Sequence, residues 1–232
     1  MVRSTIRLNQ ALSLLGFCSR RQGDRWIKTG KIKVNKTTIT TLGYKVNLND
    51  QITVNNITKS LNQLSERNIW VYYKPRGLIT THYDPQGRPT VFDALKNDLP
   101  EKIISVGRLD LQSEGLLLLT NDNAFAHQAE TSNWERHYRV RFFGNLPQYA
   151  VSEIESGLTI NGISYAPMKI KLFPRKGKNQ WAYCILHEGK NREIRNIFTH
   201  YNTKVNRLIR IQYGFYKLNN LKPGEWYVVS KT

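Results

Sequence analysis

Ser105-Val106-Gly107-Arg108-Leu109-Asp110-Leu111-Gln112-Ser113-Glu114-Gly115 leads straight into Leu116-Leu117-Leu118-Leu119-Thr120-Asn121-Asp122. Four consecutive leucines offer no polar face, so they read as a strand buried on both sides. The residues before them read as a loop, in which Gly107 and Gly115 bracket Arg108, Asp110 and Glu114. With an extended backbone, Arg108 and Asp110 emerge on the same side. A neighbouring guanidinium favours the ionised carboxylate that a nucleophile requires. The spacing fits two other readings equally well. Asp110 is also a typical turn or cap residue, and Glu114 stands where it could pair with Asp110 as in hydrolytic glycosidases.

Outward from this stretch the chain alternates strands and helices. Ile69-Trp70-Val71-Tyr72-Tyr73 has high β propensity and stops at Lys74-Pro75-Arg76-Gly77. Further strands are expected at 138–143, 168–173, 181–186, 208–213 and 226–229, with helices at 91–97, 123–130, 147–156 and 191–201. This interleaving predicts an α+β domain over residues 69–232 with a mixed, mainly antiparallel sheet.

The front of the chain reads as a separate module over residues 1–58. Leu8, Ala11, Leu12 and Leu15 fall at helical spacing, and Gly16 is placed to close that helix. Ser19 and Gln22 fit a capping box for a second helix that Gly30 would end. Arg21, Arg25 and Lys28 share one face of it. Lys31-Ile32-Lys33-Val34 alternates in period two, as a half-buried strand does, and Asn35-Lys36 would turn the chain back. A basic helix running into a basic strand edge is a surface suited to RNA. Residues 56–68 are polar and lack any aromatic, so 59–68 reads as a linker.

The composition points the same way. Thirty-five Lys and Arg against 17 Asp and Glu leave a net charge of +18. Such a surplus favours polyanionic partners, and 12 Tyr, 8 Phe and 5 Trp supply rings for stacking on bases. The N-terminal stretch shows no export signal, and no apolar run is long enough to span a bilayer, so a cytoplasmic, non-membrane protein is expected. Cys18 and Cys184 stand far apart, which speaks against a disulfide framework, and the histidines fall at no zinc-ligand spacing around them.

Five ordered motifs add a family resemblance. They are Lys74-Pro75-Arg76-Gly77 with Asp84-Pro85-Gln86-Gly87-Arg88-Pro89-Thr90-Val91, the stretch from Val106 to Asp122, His137-Tyr138-Arg139-Val140, Glu188-Gly189-Lys190-Asn191-Arg192-Glu193-Ile194-Arg195, and Arg207-Leu208-Ile209-Arg210-Ile211-Gln212-Tyr213-Gly214. In this order they resemble bacterial ribosomal RNA pseudouridine synthases of the RsuA/RluB type, with the RluB branch the nearer. The front module, through Arg7-Leu8-Asn9, Gly16-Phe17-Cys18-Ser19-Arg20-Arg21 and Gly30-Lys31-Ile32-Lys33-Val34-Asn35, resembles the RNA-binding domain first known from ribosomal protein S-four.

The resemblance implies an essential catalytic aspartate at Asp110, a tyrosine beside the base at Tyr138, and a basic partner for the aspartate at Arg195. Arg192 and Arg108 are alternatives for that partner. Arg192 would lie on nearly the same helical face as Arg195. RNA contacts are expected from Arg7, Arg20, Arg21, Arg25, Lys28, Lys31, Lys33 and Arg192. Lys190 and Asn196 depart from the commonest pattern, where arginines stand.

The implied reaction breaks the bond from the uracil nitrogen to the ribose, turns the base and rejoins it through carbon. It conserves the atoms, so no cofactor or metal is expected. Two first steps suit a single carboxylate, addition to the sugar or removal of a sugar proton. The target base must leave its stack to reach the acid. The expected partner is ribosomal RNA or an assembling ribosomal subunit, met by a monomer. The competing reading is a non-catalytic RNA-binding or ribosome-assembly protein on a synthase-like scaffold.

Overall fold

The computed structural model describes residues 5–63, 67–100, 102–175 and 177–229. The chain divides into two compact units, Met1–Arg67 and Asn68–Thr232.

The first unit runs β1 (Ile6–Arg7), α1 (Leu8–Leu14), α2 (Arg20–Lys28), β2 (Ile32–Val34), β3 (Thr37–Ile39), β4 (Lys45–Val46), β5 (Ile52–Val54) and β6 (Ile57–Lys59). Leu8, Ala11 and Leu12 of α1 pack with Ile27, Ile32, Val34 and Ile52 in one small core. Both helices end as their glycines predict. Gly16 (φ 69°) and Gly30 (φ 68°) take left-handed backbone. Phe17 N bonds Leu12 O, and Lys31 N bonds Trp26 O, the six-to-one bond of a Schellman cap. Ser19 caps α2 by accepting from Gln22 N at 3.3 Å.

The sheet β3-β2-β5-β6 is closed by two tight turns, Asn35-Lys36 and Asn55-Asn56, all four residues with positive φ. The second turn corrects the linker expectation. It folds Ile57–Lys59 back onto β5. Lys59 Nζ then donates to Leu15 O at 3.1 Å, and Leu61 enters the core. Residues 59–63 therefore belong to the module, and 64–66 lie outside the described residues.

The second unit runs β7 (Ile69–Lys74), α3 (Val91–Leu95), β8 (Ile104–Val106), β9 (Glu114–Thr120), α4 (Asn123–Thr131), β10 (Arg136–Phe143), α5 (Gln148–Ser156), β11 (Leu158–Ile160), β12 (Ile163–Tyr165), β13 (Lys169–Leu172), β14 (Asn179–Leu186), α6 (Glu193–His200), β15 (Lys204–Tyr213), β16 (Tyr216–Lys217) and β17 (Trp226–Val228). The main sheet has the order β13-β14-β10-β15-β9-β7-β17, with β8 on β9 and β16 on β15. It is α+β with a mixed, mainly antiparallel sheet. Among the described residues the parallel pairing is β15 with β9, at Ile209–Glu114 and Arg210–Gly115.

The four leucines of β9 show why that strand has no polar face. Leu117 and Leu119 enter the core on one side of the sheet, and Leu116 and Leu118 enter the core on the other. Its neighbour β7 divides likewise, with Trp70 and Tyr72 on the first side and Val71 and Tyr73 on the second. Cys18 and Cys184 are free thiols in different units. No helix among the described residues is long and apolar enough to cross a membrane.

Candidate active site

The loop between β8 and β9 carries Asp110, and its backbone is fixed at several points. Gly107 N donates to Glu130 Oε1 at 2.7 Å, and Thr80 Oγ1 donates to Leu109 O at 2.9 Å. Ser113 N bonds Asp110 O, and Gly77 N bonds Leu111 O. Beneath the loop lies Lys74, fully buried, whose Nζ donates to Pro75 O, Asp110 O and Ser113 O at 2.9, 3.2 and 2.8 Å. Burial drives its pKa down to about 8, although the Asp110 and Glu114 carboxylates pull the other way. The result is a rigid loop that leaves the Asp110 side chain 35% exposed.

Asp110 lines a cleft of about 630 Å³. Tyr138 forms part of its wall and is 8% exposed. This tyrosine sits on β10 beside a register shift against β15, opposite Arg210. Its hydroxyl makes no hydrogen bond among the described residues, so it is available to a ligand.

The arginines separate by position. Arg192 Nη1 stands 3.9 Å from Asp110 Oδ2. It is not on the helical face expected for it, because it precedes α6 in left-handed backbone (φ 50°, ψ 28°). The Arg195 guanidinium instead donates to Val205 O, Gln112 O and Ser113 Oγ at 3.2, 3.0 and 3.3 Å. It braces the Asp110 loop against β15. Burial, with the neighbouring Arg192, lowers its pKa, and Asp110 opposes that shift. Arg108 is exposed at the rim of the cleft and forms no ion pair with Asp110 within 4.0 Å.

Glu114 is not a second free carboxylate. Arg207 grips it through Nε at 2.7 Å and Nη2 at 3.2 Å, and Tyr73 OH donates to it at 3.1 Å. Burial penalises its charge, yet the Arg207 bonds outweigh that and hold its pKa below the ordinary value. Glu114 is therefore not placed to serve with Asp110 as the carboxylate pair of a glycosidase. Removing the grip leaves a buried charge unpaired. We expect Arg207→Met to cost about 2 kcal/mol in urea unfolding, below the range for fully buried pairs because Arg207 is half exposed.

Residues 68–200 match the family described as RNA pseudouridylate synthase, and residues 6–52 match the S4 domain. The chain belongs to the RNA pseudouridylate synthase family. It is 46% identical over 226 residues to an uncharacterized RNA pseudouridine synthase of Rickettsia typhi, covering 97% of this chain and 91% of that one. It is also 37% identical to the ribosomal large subunit pseudouridine synthase B of Bacillus subtilis, covering 94% and 90%. A crystal structure of a pseudouridylate synthase shares the fold, with a TM-score of 0.67 at 22% identity over 97% of this chain and 96% of that one.

The synthase is thus an RNA-modifying enzyme with an RNA substrate. Its front module presents Arg7, Arg20, Arg21, Arg25, Lys28, Lys31 and Lys33 as exposed side chains, and none of them enters an ion pair among the described residues. Its cleft also holds groups that sequence reasoning missed. Arg136 and Arg210 are buried in the wall with their guanidinium groups 4.9 and 5.1 Å from the Tyr213 ring centre. Arg210 Nε donates to Leu116 O at 2.7 Å. Both arginines stand in strands, where a charge normally signals an exposed face; Arg136 instead keeps step with the core-facing Tyr138 and Val140, and Arg210 with the core-facing Leu208.

Glu193 was missed as a wall residue for a similar reason. It is buried at the first turn of α6 and accepts from Lys190 N at 3.0 Å. Burial, then the Glu188 carboxylate beside it, push its pKa up to about 7. A carboxyl raised in the folded state favours folding at low pH and loses that contribution as pH rises from the ordinary carboxylate value towards 7. Glu193→Gln should flatten the stability profile across that window and be the more stable protein above it, as measured by urea midpoints against pH.

Proposed function

We propose that this synthase converts one specific uridine of ribosomal RNA, in the large subunit, to pseudouridine, with Asp110 as the essential residue. The observation that carries the reading is the Asp110 carboxylate, which makes no hydrogen bond among the described residues and is carried by a loop held at several backbone atoms in a cleft also lined by Tyr138 and Arg192. The kinship to a protein named as a large-subunit synthase supports the choice of RNA.

In the reaction the glycosidic bond from the uracil nitrogen to the ribose breaks, and a bond from a ring carbon to the same ribose carbon forms. The ring carbon gives up its proton and the freed nitrogen gains one, so the atoms balance. Asp110 acts on the sugar. Arg192 stands beside the carboxylate at 3.9 Å, and Arg195 holds the loop that presents it. Tyr138 lies beside the base, with a free hydroxyl to assist proton movement. Arg108 reaches the RNA from the rim. Extrusion of the uridine brings the base into the cleft.

The front module contributes affinity through the seven exposed cations, and residues 69–232 carry the chemistry. The enzyme acts as a cytoplasmic monomer on ribosomal RNA or an assembling subunit. Pseudouridine mapping of ribosomal RNA from a strain lacking the gene tests the whole reading. One lost large-subunit site, restored by the wild-type gene, is expected; an unchanged map would overturn the assignment.

A further inference from the structure

The main sheet has a basic and aromatic face that the cleft does not use. Along β10, Val140 and Phe142 point into the core, and Arg139, Arg141 and Phe143 are exposed on the opposite side. Along β14, Ala182 and Cys184 are buried, and Trp181 and Tyr183 share the opposite side. Along β13, Ile170 is buried and Lys169 and Lys171 are exposed. The register sets these residues in cross-strand rows. Lys171 lies opposite Tyr183, which lies opposite Arg139. Trp181 lies opposite Arg141, which lies opposite Arg207. Directly opposed residues stand on the same face within side-chain reach.

The charge on this face is one-sided. Arg139, Arg141, Lys169 and Lys171 enter no ion pair among the described residues, and the Arg139 guanidinium lies 4.9 Å from the Trp181 ring centre. The nearby acids are already held, Glu135 by His137 at 2.8 Å and the buried Glu114 by Arg207 at 2.7 Å. Phe143 is 51% exposed although it has no polar group to hydrate. Tyr138, one residue before Arg139, faces the cleft, so the two surfaces are opposite sides of the same strands.

We propose that this face is a second RNA-binding surface, which takes a single-stranded segment of the substrate. Its phosphates meet Arg139, Arg141 and Lys171, and its bases stack on Trp181 and Phe143. A single strand offers one charge and one π face per nucleotide, which is the alternation these rows present. A duplex hides its bases and would leave the rings without a partner. An acidic protein would answer the cations but not the exposed Phe143. The proposal rests on RNA being the ligand and not on the choice of uridine or on Asp110.

The test uses the full chain and a fluorescein-labelled single-stranded oligouridylate. Anisotropy titrations over a salt series compare wild type, the triple variant Arg139→Ala/Arg141→Ala/Lys171→Ala, and a charge-matched control, Lys96→Ala/Lys102→Ala/Lys222→Ala. The face variant should bind about tenfold more weakly, with the slope of log K against log salt reduced by about 2, roughly 0.7 for each phosphate contact removed. The control should move much less. Photocrosslinking with thiolated uridine should label the peptide containing Trp181 and Tyr183, and the face variant should lose that label. Equal losses in the two variants, or crosslinks confined to residues 5–63 and the cleft, would overturn the proposal and leave the face to a protein partner. A wild type that crosslinks here yet forms no pseudouridine upholds the surface and faults only the reaction assigned above.

Discussion

Asp110→Asn will lower pseudouridine formation by about four orders of magnitude or more while RNA binding stays level or tightens slightly. The rate loss follows from replacing a half-exposed carboxylate in the cleft that makes no hydrogen bond among the described residues, an effect of the size seen when a group acting directly in the chemistry is removed. The binding result follows from charge. Phosphate contacts supply most of the affinity for RNA, and Asp110 is a negative charge among Arg108, Arg136, Arg192 and Arg210. Neutralising it removes a repulsion towards the incoming phosphates. Asparagine is nearly isosteric, and the Asp110 bonds that fix the loop run through its backbone oxygen, to Lys74 Nζ and Ser113 N. The loop should therefore hold its shape. Single-turnover assays on ribosomal RNA from the deletion strain, alongside filter binding, check both halves. Substantial activity in the variant would sink the assignment of Asp110.

Gly115→Ala will destabilise the second unit by about 3 kcal/mol or more and lower its melting temperature by about 10 °C. Gly115 has φ +102°, and a Cβ there would sit 2.3 Å from Arg210 O and 2.8 Å from Arg210 N. Those are backbone atoms of the neighbouring strand, so no side-chain rotation can relieve the contact. The strands must part at the parallel pair Arg210–Gly115. That movement would also disturb the loop immediately before Gly115, so activity should fall beyond the loss of folded protein. Calorimetry and a rate per folded molecule separate the two effects. A melting temperature within a degree or two of wild type would contradict the close approach.

Much of the fold was legible because its determinants are local. The buried strand of four leucines, the helix stops at Gly16 and Gly30, and the turn at Asn35-Lys36 each follow from a few adjacent residues. Asn55-Asn56 makes the same turn as Asn35-Lys36, but after Ile57 come Thr58, Lys59 and Ser60 with no apolar alternation, so the end of the strand it creates reads as linker. Leu61 enters the first core as a single apolar residue, and one residue has no period. The site was legible only in part. Asp110, Tyr138 and Arg195 lie in quotable motifs, but which arginine stands at the carboxylate depends on Arg192 lying just outside α6 in left-handed backbone. No helical spacing contains that information. Lys74 looked like the end of a strand before a proline, and its service to three carbonyls depends on a loop 36 residues away. Arg136 and Arg210 keep step with the core-facing Tyr138 and Leu208 of their strands, but an arginine in such a place reads as an exposed charge until the cleft that receives it is known.

The parallel seam between β9 and β15 bears on how the enzyme comes to life. Arg210 Nε reaches Leu116 O across 94 residues of chain. Contacts so distant in sequence close slowly, because the loop entropy is lost before the contact returns anything. The hairpin-like pairs, such as β13 with β14 and β15 with β16, have no such delay. The Asp110 loop lies at one lip of this seam, while Arg192, Arg195 and the β15 wall come from the other. Catalytic competence should therefore lag behind secondary structure during refolding. The first turnover would then mark the closing of this seam, a clock built into the order of the strands.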